Sequence, residues 1–128
     1  MDLTDKRVVV TGAAGLVGSH LAAELAPEND VLAVDDLSKG DRERVPDAVE
    51  FRKRDMTDED DVADAITEDV DVVFHFAAYT DTNYDDDRQL FEENGAMTYN
   101  VLERMHDVGV DKLAFTSSST VYGEAPMP

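Results

Sequence analysis

The chain has 128 residues, 42% of them apolar, which is long enough for one domain with a buried core. It carries 30 acidic against 11 basic side chains, a formal charge of −19, and this argues against nucleic acid or anionic lipid as a partner. There is no Cys, which excludes disulfides and thiolate metal sites, and no apolar run approaches the roughly 18 residues that cross a bilayer. The acids are spread along the chain, and the only Lys are Lys6, Lys39, Lys53 and Lys112. Dense carboxylates repel one another in dilute buffer, but at molar salt the Debye length falls to about 3 Å and the repulsion is screened. A halophilic source is therefore expected. The acidic start, Met1-Asp2-Leu3-Thr4-Asp5, lacks the positive region of an export signal, so the cytoplasm is the expected location.

Residues 6–11 read as a strand buried on both faces, because Val8, Val9 and Val10 leave no polar side. Residues 15–26 read as a helix ended by Pro27. A second strand at 30–35, a polar loop at 37–46 and a short third strand at 49–53 follow. Thr57 is expected to cap a helix running to about residue 67, with Asp58, Glu59, Asp60 and Asp61 crowding its first turn. Residues 70–77 read as a fourth strand, 85–108 as a long helix ended by Gly109, and 112–116 as a fifth strand. This alternation predicts an α/β, Rossmann-type doubly wound parallel sheet of five strands in the order 3-2-1-4-5. The switch point falls between strands 1 and 4, and a ligand is expected there, at the carboxyl ends of the strands.

Gly12, Gly15 and Gly18 stand at that point, directly after a strand and opening a helix. Gly12 suits the tight turn, Gly15 lets a pyrophosphate approach the backbone, and Gly18 lets helix and strand pack closely. The N–H groups of Leu16 and Val17 would face the phosphates. Asp35 ends strand 2 about 20 residues on, where a carboxylate can accept from both ribose hydroxyls. It would repel a 2′-phosphate, which favours NAD over NADP, although Lys39 and Arg42 soften that preference. Asp55 can meet the adenine amino group, with Met56 covering the ring. Phe76, Ala77 and Ala78 leave room beside the switch point. His75, inside the fourth strand, reads as a hydrogen-bonded core residue with no catalytic role.

Asn94 falls on the apolar stripe of the long helix, with Leu90, Met97, Val101, Met105 and Val108. It reads either as an amide bonded at a helix kink aided by Gly95, or as one that orders water or backbone at an active site. Hydroxyls of the run Thr116-Ser117-Ser118-Ser119-Thr120 can bond a substrate hydroxyl or simply form a turn. No His or Asp at triad spacing supports a hydrolase, and no GK[ST] follows the glycines, so a P-loop is not expected.

These residues together resemble the NAD-dependent epimerase/dehydratase family of extended short-chain dehydrogenases/reductases, over nearly the whole chain and as the N-terminal part of a larger enzyme. Residues Thr11 to Gly18 look like its TGxxGxxG, Asp35-Asp36-Leu37 like its ribose-binding stretch and Asp55-Met56 like its adenine-contacting pair. His75-Phe76-Ala77-Ala78 looks like its HxAA, and residues Phe115 to Gly123 are very close to the FSSSxxVYG of UDP-glucose 4-epimerase-like members. The resemblance implies NAD as cofactor, held by the residues above with Asp36 and Ser38, and a nucleotide sugar as substrate. It implies Ser118 as the catalytic hydroxyl and Asn94 as the Asn of an NVxGT helix motif, here with Gly95 and Met97 in place of Val and Gly.

The family's reaction uses a Tyr-x-x-x-Lys pair, in which Lys lowers the Tyr pKa and the phenolate takes the substrate proton. Four residues after Tyr79, Tyr84, Tyr99 and Tyr122 stand Asn83, Arg88, Glu103 and Pro126, so the pair is absent from these residues. The chain is thus expected to be a single NAD-binding domain, residues 1–128, truncated at its C-terminal side, binding NAD but turning over little alone. The missing helix would leave apolar surface exposed beside residues 90–108, which implies self-association or a complementing chain. A non-catalytic nucleotide-binding or assembly module and a truncated gene remnant are the alternatives.

Overall fold

A computed structural model describes residues 3–78 and 87–115. The elements are β1 (Arg7–Thr11), α1 (Leu16–Leu25), β2 (Asp30–Asp35), a 3-10 turn (Arg42–Arg44), β3 (Glu50–Lys53), α2 (Glu59–Ala65), β4 (Val72–His75), α3 (Asp87–Val108) and β5 (Leu113–Phe115). All five strands are parallel, in the order β3-β2-β1-β4-β5 that the alternation predicts. Val9 at the centre of β1 lies level with Leu32 of β2 and Val73 of β4.

Both faces of the sheet are covered, which is why β1 carries apolar residues without alternation. One face packs Val9, Leu32, Val34 and Val73 against Val62 and Ile66 and against Met97, Val101 and Met105 of α3. The other packs Val8, Val10, Val31 and Ala33 against Ala13, Ala14 and Ala22. Of the apolar stripe on α3, Met97, Val101 and Met105 are buried, Val108 packs partly buried against them, and Leu90 is half-buried. No helix among the described residues is long and apolar enough to cross a membrane.

The cap of α2 corrects the sequence reading. Asp58, not Thr57, is the N-cap, and its carboxylate accepts from Asp60 N at 2.8 Å and Asp61 N at 3.3 Å. Thr57 is engaged elsewhere: its N–H and hydroxyl both donate to Asp55 Oδ1, at 2.9 and 2.7 Å. The fourth strand is also shorter than the predicted 70–77: Phe76 N–H is shared between the Thr11 carbonyl and hydroxyl, and Ala77 N–H donates to that hydroxyl. The helix α3 is continuous through Gly95.

Two side chains of α3 bind it to the rest of the domain. Asn100 Nδ2 donates to the carbonyl of Met56 at 3.0 Å. Arg104 donates from Nε to the carbonyl of Ile66 at 2.7 Å and from Nη2 to that of Ala63 at 3.3 Å. A cation at the C-terminal end of α2 satisfies carbonyls that the helix itself leaves open and complements its dipole.

Candidate cofactor site

The site begins where β1 turns into α1. Gly12 has φ +67°, and a Cβ there would lie 2.6 Å from the Phe76 carbonyl carbon, so only glycine meets both demands. A Cβ on Gly18 would lie 2.3 Å from the Gly12 carbonyl oxygen, which is the close helix–strand approach its position predicts. Gly15 is the N-cap of α1 and supplies no side-chain cap, and the first turn carries no acidic residue. The first i to i−4 bond runs from Ser19 N to the Gly15 carbonyl at 3.0 Å. The N–H groups of Leu16, Val17 and Gly18 therefore have no acceptor among the described residues, and all three residues line a cavity. Such a helix start is a site for an anion.

The loop after β2 closes over this turn. Asp35 is buried and accepts from Ala14 N through Oδ2 at 2.9 Å and from Leu37 N through Oδ1 at 2.8 Å. Leu37 has φ +62°, a conformation that costs a non-glycine residue about 1 kcal/mol and that the Asp35 bond helps to hold. Asp41 N then donates back to the Ala14 carbonyl at 3.0 Å, while the Asp36 carboxylate accepts from Ser38 N and Oγ. Each Asp35 oxygen keeps a second acceptor direction for a ligand hydroxyl.

Thr11 joins the two strands that flank the switch point. Its hydroxyl oxygen accepts from Phe76 N at 3.0 Å and Ala77 N at 3.1 Å and contacts His75 Nδ1 at 2.7 Å. With both lone pairs used, the hydroxyl proton goes to Nδ1, so the His75 proton sits on Nε2. Burial drives the His75 pKa down from its ordinary value to about 4, which keeps the ring neutral at physiological pH. His75 is thus the hydrogen-bonded core residue expected from its setting.

The cavity has a volume of about 400 Å³ and lies at the carboxyl ends of β1, β2 and β4. It gathers Gly12, Gly15, Leu16, Val17 and Gly18 from the first turn, and Asp35, Asp36 and Ser38 from the second. Met56, Phe76, Ala77 and Ala78 complete the predicted set in its wall. Asp55 and Asn94 are not in that wall: the Asp55 carboxylate is turned into its own loop by Thr57, and Asn94 is half-buried one turn before Met97, which does reach the cavity. Ser118, with the rest of the hydroxyl run, lies outside the described residues, as do Tyr79, Tyr84 and Tyr122.

Of the two cations named beside the ribose position, Lys39 lines the cavity, but Arg42 does not and instead packs over the Phe51 ring at 4.4 Å. Arg54 lines the cavity and was missed, together with Val34, Gly40 and Met97. The available signal for Arg54 was its i+2 spacing from Arg52, which puts both arginines on the face of β3 that looks toward α2. The donor set fits a dinucleotide diphosphate: open N–H groups for the anion, a buried carboxylate for hydroxyls, and an apolar wall of Val34, Met56 and Met97.

The sequence matches the NAD dependent epimerase/dehydratase family over residues 8–128. It is 36% identical over 121 residues to a UDP-glucose 4-epimerase of Lactobacillus helveticus, covering 91% of this chain and 37% of that protein. The fold superposes with a TM-score of 0.83 on the Thermus thermophilus UDP-glucose 4-epimerase in complex with NAD, at 38% identity over 94% of this chain and 40% of that one. A UDP-N-acetylglucosamine 4-epimerase of Methanobrevibacter ruminantium, in complex with UDP-N-acetylmuramic acid, gives a TM-score of 0.85 at 32% identity, over 96% of this chain and 41% of that one. The chain therefore spans about 40% of the length of these relatives. With its sequence match running through the glycine turn, Asp35 and the switch point, this chain belongs to the NAD dependent epimerase/dehydratase family.

Proposed function

We propose that this chain is the NAD-binding domain of a nucleotide-sugar epimerase or dehydratase and is inactive by itself. The observation that carries the reading is the start of α1, which has neither a side-chain cap nor an acid in its first turn although the chain as a whole is strongly acidic. The open N–H groups of Leu16, Val17 and Gly18 would hold the diphosphate, Asp35 the ribose hydroxyls, and Met56 one face of the base. Asp36, Ser38, Phe76, Ala77 and Ala78 shape the same cavity. Asp55 and Asn94 belong to the proposal as groups that would reach the cofactor after a side-chain turn, and Ser118 as the hydroxyl that would bond the substrate. When bound, NAD supplies the acceptor and later the donor of a hydride exchanged with a sugar carbon. No Tyr of this sequence has Lys four residues on, so the proton-transfer pair seen in the family resemblance is not supplied here.

We further place the chain in a high-salt cytoplasm, where counterions screen its −19 charge. Phe91, Tyr99 and Leu102 of α3 and Phe115 of β5 are exposed, which supports self-association or a complementing chain at that edge. The test of the main reading is calorimetric titration of the purified chain with NAD in molar potassium chloride. Saturable 1:1 binding is expected, with no turnover of a UDP-sugar. Absence of saturable binding overturns the reading.

A further inference from the structure

Arg54 stands where β3 leaves the sheet, and its backbone N–H donates to the Asp35 carbonyl at 3.1 Å. Its side chain is anchored twice: Nε donates to Asp64 Oδ2 at 2.9 Å, and Nη1 donates to the Lys53 carbonyl at 2.8 Å. Asp64 also accepts from Arg52 Nη1 at 3.1 Å, so a second arginine steadies the anchor. The guanidinium plane is therefore held in one orientation, and Arg54 lines the cavity together with buried Met56.

The order of strands gives the order of subsites. The anion site is at the end of β1, the ribose carboxylate at the end of β2, and Arg54 and Met56 follow at the end of β3. A base attached to that ribose arrives beside Arg54. We propose that Arg54, anchored by Asp64, packs its guanidinium plane against the adenine ring of the dinucleotide, a specificity contact that rests on the NAD reading above. A planar, weakly hydrated cation stacks on aromatic faces, which a lysine ammonium does not reproduce. A 2′-phosphate is disfavoured as its partner, because Asp64 already compensates the charge and the carboxylates of Asp35 and Asp36 stand in the same cavity.

The experiment is calorimetry of the full chain with NAD and with NADP, for the wild type, Arg54→Ala, Arg54→Lys and Asp64→Asn, with circular dichroism to confirm folding. Arg54→Ala is expected to bind NAD about 10-fold more weakly, and Asp64→Asn about 3-fold more weakly. Arg54→Lys keeps the charge and loses the plane, so it is expected to behave like Arg54→Ala. Should Arg54→Ala fail to fold, Arg54→Lys and Asp64→Asn decide. NAD affinity unchanged in the variants while the wild type binds overturns the proposal, as does full rescue by Lys. So does a loss confined to NADP, which would assign the cation to a phosphate. A wild type that does not bind NAD overturns the NAD reading itself, and this contact with it.

Discussion

The N-termini of α1 and α2 are built in opposite ways from the same acid-rich sequence. At α2, Asp58 caps two N–H groups and Glu59, Asp60 and Asp61 fill the first turn, so the positive end of the helix is answered within the chain. At α1, Gly15 caps nothing and no acid is present, while the glycines bring backbone close on every side. Helix starts are alike in their intrinsic need for an acceptor. The difference supports the proposed anion site at α1, since this composition supplies carboxylates freely elsewhere.

The largest expected effect concerns the crevice wall that keeps the α1 turn in place. With a folded pKa of about 4 against an ordinary 6.5, His75 takes up its proton more readily in the unfolded chain. Stability is thus fully retained above about pH 6.5 and falls as pH drops toward 4, by about 3 kcal/mol from this group. His75→Asn keeps an acceptor for Thr11 and removes the titration. Urea melts from pH 7.5 to 4 are expected to show the extra slope in the wild type only, and equal slopes would remove the explanation.

Next in size is Leu16→Asp, which gives α1 the chemistry of α2. Leu16 is 68% exposed, so the fold should tolerate the change. A carboxylate at the helix start competes with the diphosphate, and NAD affinity is expected to drop about 30-fold, roughly 2 kcal/mol. Retained affinity in a titration would show that the ligand is held elsewhere. The smallest effect is expected from Asp58→Ala, which removes the cap of α2 and costs about 1 kcal/mol of stability in a denaturant melt. NAD affinity should not change, because Asp58 is outside the cavity wall.

Much of this architecture was legible before any coordinates. Three consecutive valines announce a strand covered on both faces, and glycines placed directly after it announce a tight turn into a helix. Asp35, at the end of the next strand, follows from the same frame. These are local signals, set by periodicity and by backbone geometry over a few residues. The alternation of elements, with the handedness of crossovers, then settles the strand order.

What the tertiary structure alone decided are partnerships between distant residues. Thr57 and Asp58 are both good caps, and the choice between them turned on Asp55 claiming the Thr57 hydroxyl. Arg42 and Arg54 are equivalent in composition, but Phe51 draws one away while Asp64 holds the other at the cavity. Arg104 and Asn100 find carbonyls some forty positions away. Backbone periodicity determines where an element runs and which face is apolar. Which acceptor a long polar side chain reaches depends on the packing of separate elements, and that is fixed only when the chain is folded.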